Sequence, residues 1–269
     1  MIPEQRYKII LETLQKEGTV KASDLARQLS TSYETIRRDL QHLDSEGLLH
    51  RSPGGASAIE TSPESVLYEN FQMRLKQEPA HKKDVALLAA ELISEGDIIA
   101  LDSGSTSLIL ARVIHEKFHQ LTVITNSIPA AGELVRAEGI TIILTGGIYR
   151  RDEGSLVTDI DSSIVDRLNI HTFFLTACGL SIEKGVTYQR MDELAIQNQL
   201  MRHAERTIAI TDSSKLGRNS LIRMCSLSDI AGIITDENAS DAQILPFTQH
   251  GIPVMRNIEE IPAELLQHF

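Results

Sequence analysis

The spacing of apolar residues divides the chain into two stretches with different character. Near the start, Tyr7, Ile10, Leu11 and Leu14 recur at i, i+3, i+4 and i+7, which predicts one buried face of a helix ended by Gly18. Leu25, Ala26 and Leu29 predict a second short helix, with Asp24 in its first turn, where the helix dipole favours an anion. Ser30-Thr31-Ser32 reads as a turn, and Ser32 as the N-cap of a third helix that runs to about Ser45 and stops at Gly47. Leu48-Leu49-His50-Arg51, then Ser52-Pro53-Gly54-Gly55, predicts a short strand entering a glycine turn. From about Ser57 to Ala80 the pattern is mixed. Ser62-Pro63 and Glu78-Pro79 bracket a connecting helix containing Val66, Leu67, Phe71 and Leu75.

From His81 onward, amphipathic helices alternate with short apolar runs: Ile98-Ile99-Ala100-Leu101, Leu121-Thr122-Val123-Ile124, Ile140-Thr141-Ile142-Ile143-Leu144, Thr172-Phe173-Phe174-Leu175, Thr207-Ile208-Ala209-Ile210 and Ile230-Ala231-Gly232-Ile233-Ile234. Near-continuous apolar strands separated by helices predict a mainly parallel α/β sheet covered on both faces. The expected organisation is a helical module at 1–57, a connector at 58–80 and an α/β domain at 81–269.

Three short helices, the last two joined by a tight turn and followed by a strand and a glycine loop, describe a winged helix-turn-helix. On the third helix Ile36, Leu40 and Leu43 share the inner side. The outer arc carries Glu34, Thr35, Arg38, Gln41 and His42, with Tyr33 and Arg37 at its edges. Arg and Gln can each make two hydrogen bonds to a base edge, to guanine and adenine respectively. Tyr33, Thr35 and Arg51 suit phosphates, which position a protein without reading sequence. The expected contact set for double-stranded operator DNA is therefore Ser32, Tyr33, Glu34, Thr35, Arg37, Arg38, Gln41, Arg51, Gly54 and Gly55.

Net charge bears on that expectation. The 269 residues carry 26 Lys+Arg against 37 Asp+Glu, net −11, which taken as one object argues against a polyanionic partner. Residues 1–60 hold only net −1 of this, so the acidity belongs to the second domain. Recognition of DNA then depends on where Arg37, Arg38 and Arg51 point. Cys178 and Cys225 form no CxxC pair and suit a reducing compartment. The opening Met1-Ile2-Pro3-Glu4-Gln5-Arg6 lacks the basic and apolar regions of a signal peptide, and no apolar run reaches the roughly 18 residues of a membrane span. A cytoplasmic location is expected.

In the second domain, ligand chemistry is expected beyond the carboxyl ends of the strands. Asp102-Ser103-Gly104-Ser105-Thr106 follows the first strand and opens a helix, so hydroxyls and free amides surround a glycine, an arrangement that suits an anion such as phosphate. Thr125 and Asn126, Gly146 and Gly147, and Lys215 after Asp212-Ser213-Ser214 end later strands. Glu193, following Gly185-Val186-Thr187, is placed to accept hydrogen bonds from hydroxyls. The nine histidines show no metal-ligand spacing, and no cofactor or metal is expected.

Arg6, Leu25-Ala26, Ser32, Thr35-Ile36-Arg37-Arg38-Asp39-Leu40, Leu43, Gly47 and Gly54-Gly55-Ala56 resemble the DeoR-type bacterial transcriptional regulators of sugar metabolism. The resemblance continues through Asp102 to Thr106, Thr125-Asn126, Gly146-Gly147, Gly179, Glu193 and Asp212 to Lys215. It implies an effector domain similar in fold to ribose-5-phosphate isomerase and glucosamine-6-phosphate deaminase, sensing a phosphorylated sugar or sugar acid. It also implies that Ser103, Gly104, Ser105 and Thr106 hold the effector phosphate with help from Lys215. Ala195 and Gln197 depart from the family, where glutamate and lysine are common. The expected protein is a repressor acting as a dimer or tetramer; the alternative is a sugar-phosphate isomerase or deaminase fused to a DNA-binding module.

Overall fold

The computed structural model describes residues 6, 7, 9–11, 13, 14, 18–45, 49–57, 71–157 and 164–266. Gly47, Leu48 and the expected connecting-helix residues Val66 and Leu67 lie outside that set. Contacts divide the chain into two units, Met1–Tyr68 and Glu69–Phe269, a boundary inside the predicted connector.

In the first unit, residues 6, 7, 9–11, 13 and 14 are helical. They are followed by β1 (Thr19–Lys21), α1 (Ala22–Gln28), α2 (Tyr33–Ser45), β2 (His50–Ser52) and β3 (Gly55–Ser57). The strands form an antiparallel sheet in the order β1-β3-β2. Ile10, Leu14, Leu25, Leu29, Ile36, Leu40 and Leu43 pack into one core, the residues that the helical spacing had turned inward. Ser32 caps α2: its Oγ accepts the Thr35 amide at 3.0 Å. The expected strand starts at His50; β3 pairs with it, and β1 pairs with the other edge of β3. At three residues each, those strands are too short to show an alternating pattern.

The second unit begins with α3 (Phe71–Lys76) and α4 (Pro79–Ala90), so both belong to this unit and not to a free connector. Its centre is a seven-stranded sheet built from β4 (Ile98–Leu101), β5 (Leu121–Thr125), β6 (Ile140–Leu144), β9 (Ile170–Leu175), β12 (Ala204–Ile210), β14 (Gly232–Ile234) and β15 (Val254–Met255). The order is β15-β14-β12-β9-β4-β5-β6, and every pairing is parallel. One face is covered by α4, α5 (Ser105–Lys117) and α6 (Ile128–Leu134) over Ile99, Leu101, Val123, Phe174 and Ile210. The other is covered by α7 (Leu194–His203) and α8 (Asp241–Gln249) over Ala100, Ile124, Phe173, Leu175 and Ala209. Alternate residues of each strand thus enter opposite cores, which is why the strand sequences read as continuous apolar runs.

A hairpin of β7 (Ile148–Arg150) and β8 (Ser155–Val157) adds to this frame, as does a small antiparallel sheet of β10 (Gly179–Ser181), β11 (Gly185–Tyr188) and β13 (Ile222–Cys225). The chain runs outward from β4 through β5 to β6, then returns to β9 and runs outward the other way. The switch point between β4 and β9 is where the loops after adjacent strands diverge and leave a crevice.

Candidate functional site

The loop after β4 lies at that switch point, and Asp102 organises it. Asp102 Oδ1 accepts the Ser103 amide at 2.8 Å and Gln197 Nε2 at 3.1 Å. Oδ2 accepts the Thr176 amide at 3.2 Å, the Thr176 hydroxyl at 2.6 Å and the Tyr188 hydroxyl. Burial pushes this carboxyl above its ordinary value, while the Thr176, Tyr188 and Gln197 donors pull the other way. Both oxygens of Asp102 are thus filled by protein donors, and the residue braces the loop. Thr125 is braced in the same way, donating to the Leu101 carbonyl at 2.8 Å and accepting the Ser127 amide at 3.0 Å.

What the braced loop presents is the start of α5. Ser105, Thr106 and Ser107 occupy its first turn and are buried. The amides of a first helical turn have no partner within the helix. Gly104 permits the approach of β9's following residue: a Cβ there would lie 3.0 Å from both Cγ2 and Oγ1 of Thr176. Ser103 Oγ accepts Asn126 Nδ2 at 3.4 Å, and the same nitrogen donates to the Leu156 carbonyl at 3.3 Å.

Three further charged groups are buried in this unit, and Glu193 is within electrostatic reach of Asp102. Glu193 is 5% exposed and accepts the Ser155 hydroxyl at 3.1 Å. Burial first, then the carboxylates of Asp102 and Glu153, push it up to about 8, so it is protonated at neutral pH. Buried Glu153 is paired with Arg74 of α3. Lys82 of α4 is 4% exposed, with its Nζ on the Gln77 carbonyl. Burial lowers its pKa, Asp212 opposes that, and Lys215 adds to it, so these charges are neighbours. Arg74, Glu153 and Lys82 were not anticipated. Lys82 did leave a signal, standing at i, i+3, i+4 and i+7 with Val85, Ala86 and Ala89, a cation on an apolar helix face.

The remaining expected residues are less closely grouped. Lys215 is half-buried in a short turn that Asp212 caps. Gly146 and Gly147 are exposed after β6, the edge strand, two places from β4. Gly179 is buried at the start of β10. Among the described residues no group of His, Cys, Asp and Glu could hold a metal ion, and no helix is long and apolar enough to cross a membrane.

In the first unit the outer arc of α2 is as predicted: Tyr33, Glu34, Arg37, Arg38 and Gln41 are exposed and Thr35 is half-buried. Arg37 donates through Nε and Nη2 to the two oxygens of Glu34, both at 2.8 Å, and Arg38 Nε lies 3.5 Å from Glu34 Oε1. These arginines, Arg37 foremost, hold the Glu34 carboxyl below its ordinary value. Arg51 is exposed on β2, with its amide on Asp44 Oδ1 at 3.1 Å. Gly54 is exposed at the tip of the wing. Gly55 is buried, and a Cβ there would fall 2.0 Å from the Val20 carbonyl oxygen, so the β1–β3 pairing requires glycine at this position.

Residues 6–62 match the model of the DeoR-like helix-turn-helix domain, and residues 77–237 match that of the DeoR C-terminal sensor domain. A putative aga operon transcriptional repressor of Escherichia coli O157:H7 is 31% identical over 93% of this chain and 93% of its own length. An L-fucose operon activator of Haemophilus influenzae is 32% identical over 92% of this chain and 97% of its own. A solved D-ribose-5-phosphate isomerase in complex with phospho-erythronic acid aligns at TM-score 0.38 and 18% identity over 50% of this chain and 52% of that one, too slight a likeness to carry a site across.

Proposed function

The chain belongs to the DeoR family of helix-turn-helix transcriptional regulators, and from that premise we propose that it represses a carbohydrate-utilisation operon and leaves its operator when a phosphorylated sugar binds. It is a DNA-binding regulator and not an enzyme, as its relatives are. In this reading α2 enters the major groove, with Arg38 and Gln41 on base edges and Ser32, Tyr33, Thr35 and Arg51 on phosphates. Arg37 joins them when it leaves Glu34. A dimer or larger assembly matches paired operator half-sites.

The observation that carries the effector half is the loop braced by Asp102 at the switch point. Its shape is set by five protein donors, and it presents the amino end of α5 with Ser105 and Thr106. Such an end attracts phosphate through its amides and its dipole. In this reading Lys82 and Lys215, which neighbour each other and Asp212, supply positive charge to the ligand. An effector that prefers the conformation with weaker DNA affinity lowers operator occupancy by its difference in binding energy between the two states.

The test is a fluorescence-anisotropy titration of DNA from the regulated promoter with and without a panel of phosphorylated sugars and their unphosphorylated forms. One phosphorylated compound is expected to weaken DNA binding by about tenfold or more, equivalent to about 1.4 kcal/mol. A panel that leaves DNA affinity unchanged throughout overturns the proposal.

A further inference from the structure

We propose that the effector is a phosphorylated amino sugar, its ammonium group seated between Glu193, Gln197 and Asn126. This rests on the phosphate reading above and names the other end of the ligand.

Three carboxyls are nearly or fully buried here: Asp102 at 0%, Glu153 at 3% and Glu193 at 5% exposure. They come from the end of β4, the β7–β8 hairpin and the residue before α7. Asp102 is filled by protein donors and Glu153 is paired with Arg74. Glu193 receives the Ser155 hydroxyl on Oε1.

Two neutral side chains add capacity of the same kind. Gln197 is fully buried, and its amide nitrogen is committed to Asp102, so its Oε1 lies beside these carboxyls without a partner. Asn126 is fully buried, with its nitrogen committed to Ser103 Oγ and the Leu156 carbonyl, which leaves Oδ1 without a partner. The nitrogen partners fix which way each amide points. Apart from the Ser107 hydroxyl in the first turn of α5, which can donate or accept, the unfilled side-chain capacity next to the phosphate loop consists of acceptors.

A buried acceptor without a donor is costly, and a ligand group that supplies donors removes that cost. A ligand carboxylate supplies none and brings a negative charge beside three carboxyls. A hydroxyl supplies one donor and no charge. An ammonium supplies three donors and a positive charge. Burial above all, then Asp102 and Glu153 facing it as like charges, with Arg74 and the Ser155 hydroxyl opposing and Cys178 beside the group, raises the free Glu193 carboxyl to about 8. On binding, the ligand arrives as an ammonium ion, Glu193 becomes a carboxylate, and its proton passes to the buffer.

Isothermal titration of the intact protein at pH 7 tests this with glucosamine 6-phosphate, galactosamine 6-phosphate, the matching neutral hexose 6-phosphates, 6-phosphogluconate and inorganic phosphate. Two buffers of different ionisation enthalpy reveal proton release. An amino sugar phosphate is expected to bind about tenfold or more tighter than its neutral counterpart, with 6-phosphogluconate weaker than both and up to one proton released. Glu193→Gln is expected to reduce the preference to about threefold or less and to abolish the proton release. Equal or tighter binding of a neutral hexose phosphate or of 6-phosphogluconate overturns the amino-sugar assignment and leaves the phosphate reading standing. If no phosphorylated compound binds, both fall.

Discussion

Arg6 and Asp39 form a two-pronged ion pair across 33 residues of sequence, Nε to Oδ2 at 2.7 Å and Nη2 to Oδ1 at 2.9 Å. Asp39 is 4% exposed on the inner side of α2, behind the arc that bears Arg37 and Arg38. The pair ties the first helical segment to the inner side of α2 and restrains the rotation of that helix in the module. Asp39→Ala leaves a guanidinium at the core edge without its carboxylate and is expected to cost about 1–3 kcal/mol of stability. Chemical denaturation of the isolated variant reads the loss; an unchanged midpoint and slope would sink the idea.

Glu34 holds Arg37 in two hydrogen bonds and lies close to Arg38, so both cations are partly occupied before DNA arrives. Glu34→Gln is expected to free them and tighten non-specific DNA binding. The slope of log affinity against log salt should steepen by about one for each additional phosphate contact. Affinity measured on unrelated duplexes over a salt series checks this, and an unaltered slope counts against it.

Arg38→Ala separates base reading from phosphate binding. If Arg38 bonds a base edge, the loss at the operator is about 1–3 kcal/mol, and specificity at one position relaxes. A uniform weakening on every duplex tested instead assigns it to phosphate.

Gly104→Ala places a methyl group 3.0 Å from Thr176, which donates to Asp102. The expected result is a displaced loop, a destabilisation of about 1–3 kcal/mol, and loss of the thermal shift that a phosphorylated effector produces. Retention of the full shift would show that the loop does not hold the ligand.

Glu193 makes stability depend on pH with a definite sign. Its ordinary value is 4.5 and its folded value is about 8, so between these the unfolded chain has lost a proton that the native protein still holds. This contribution is complete below about pH 4.5 and declines as pH rises to 8, at up to roughly 1.4 kcal/mol per pH unit. Glu193→Gln is expected to gain stability relative to the parent over that interval. Parallel unfolding curves at pH 5 and pH 8 that show no relative gain refute the burial argument.

Much of this protein was legible in the order of its residues. Helical spacing identified the inner residues Ile36, Leu40 and Leu43, and the exposed arc of α2 followed by subtraction. Apolar runs located six of the seven parallel strands, because a strand buried on both faces has no polar positions to interrupt it. The two-residue β15 and the small antiparallel sheets escaped, since three or four residues do not establish a period. Asp39 and Lys82 were visible as charges on apolar stripes, but their partners were not, because those lie elsewhere in the chain.

Sequence by itself determined the class of each segment, the capped helix α2 with its exposed arc and the hydroxyl-rich loop at a strand end, all of which depend on neighbours within a few residues. Only the tertiary structure decided that protein donors fill Asp102, that Gly55 lies against the β1 backbone, and that burial raises the Glu193 carboxyl. Each of those outcomes depends on groups brought together from distant positions, as Asp102 is with Thr176, Tyr188 and Gln197. Hydrogen-bond saturation and desolvation are properties of such three-dimensional neighbourhoods, and local spacing carries no record of them.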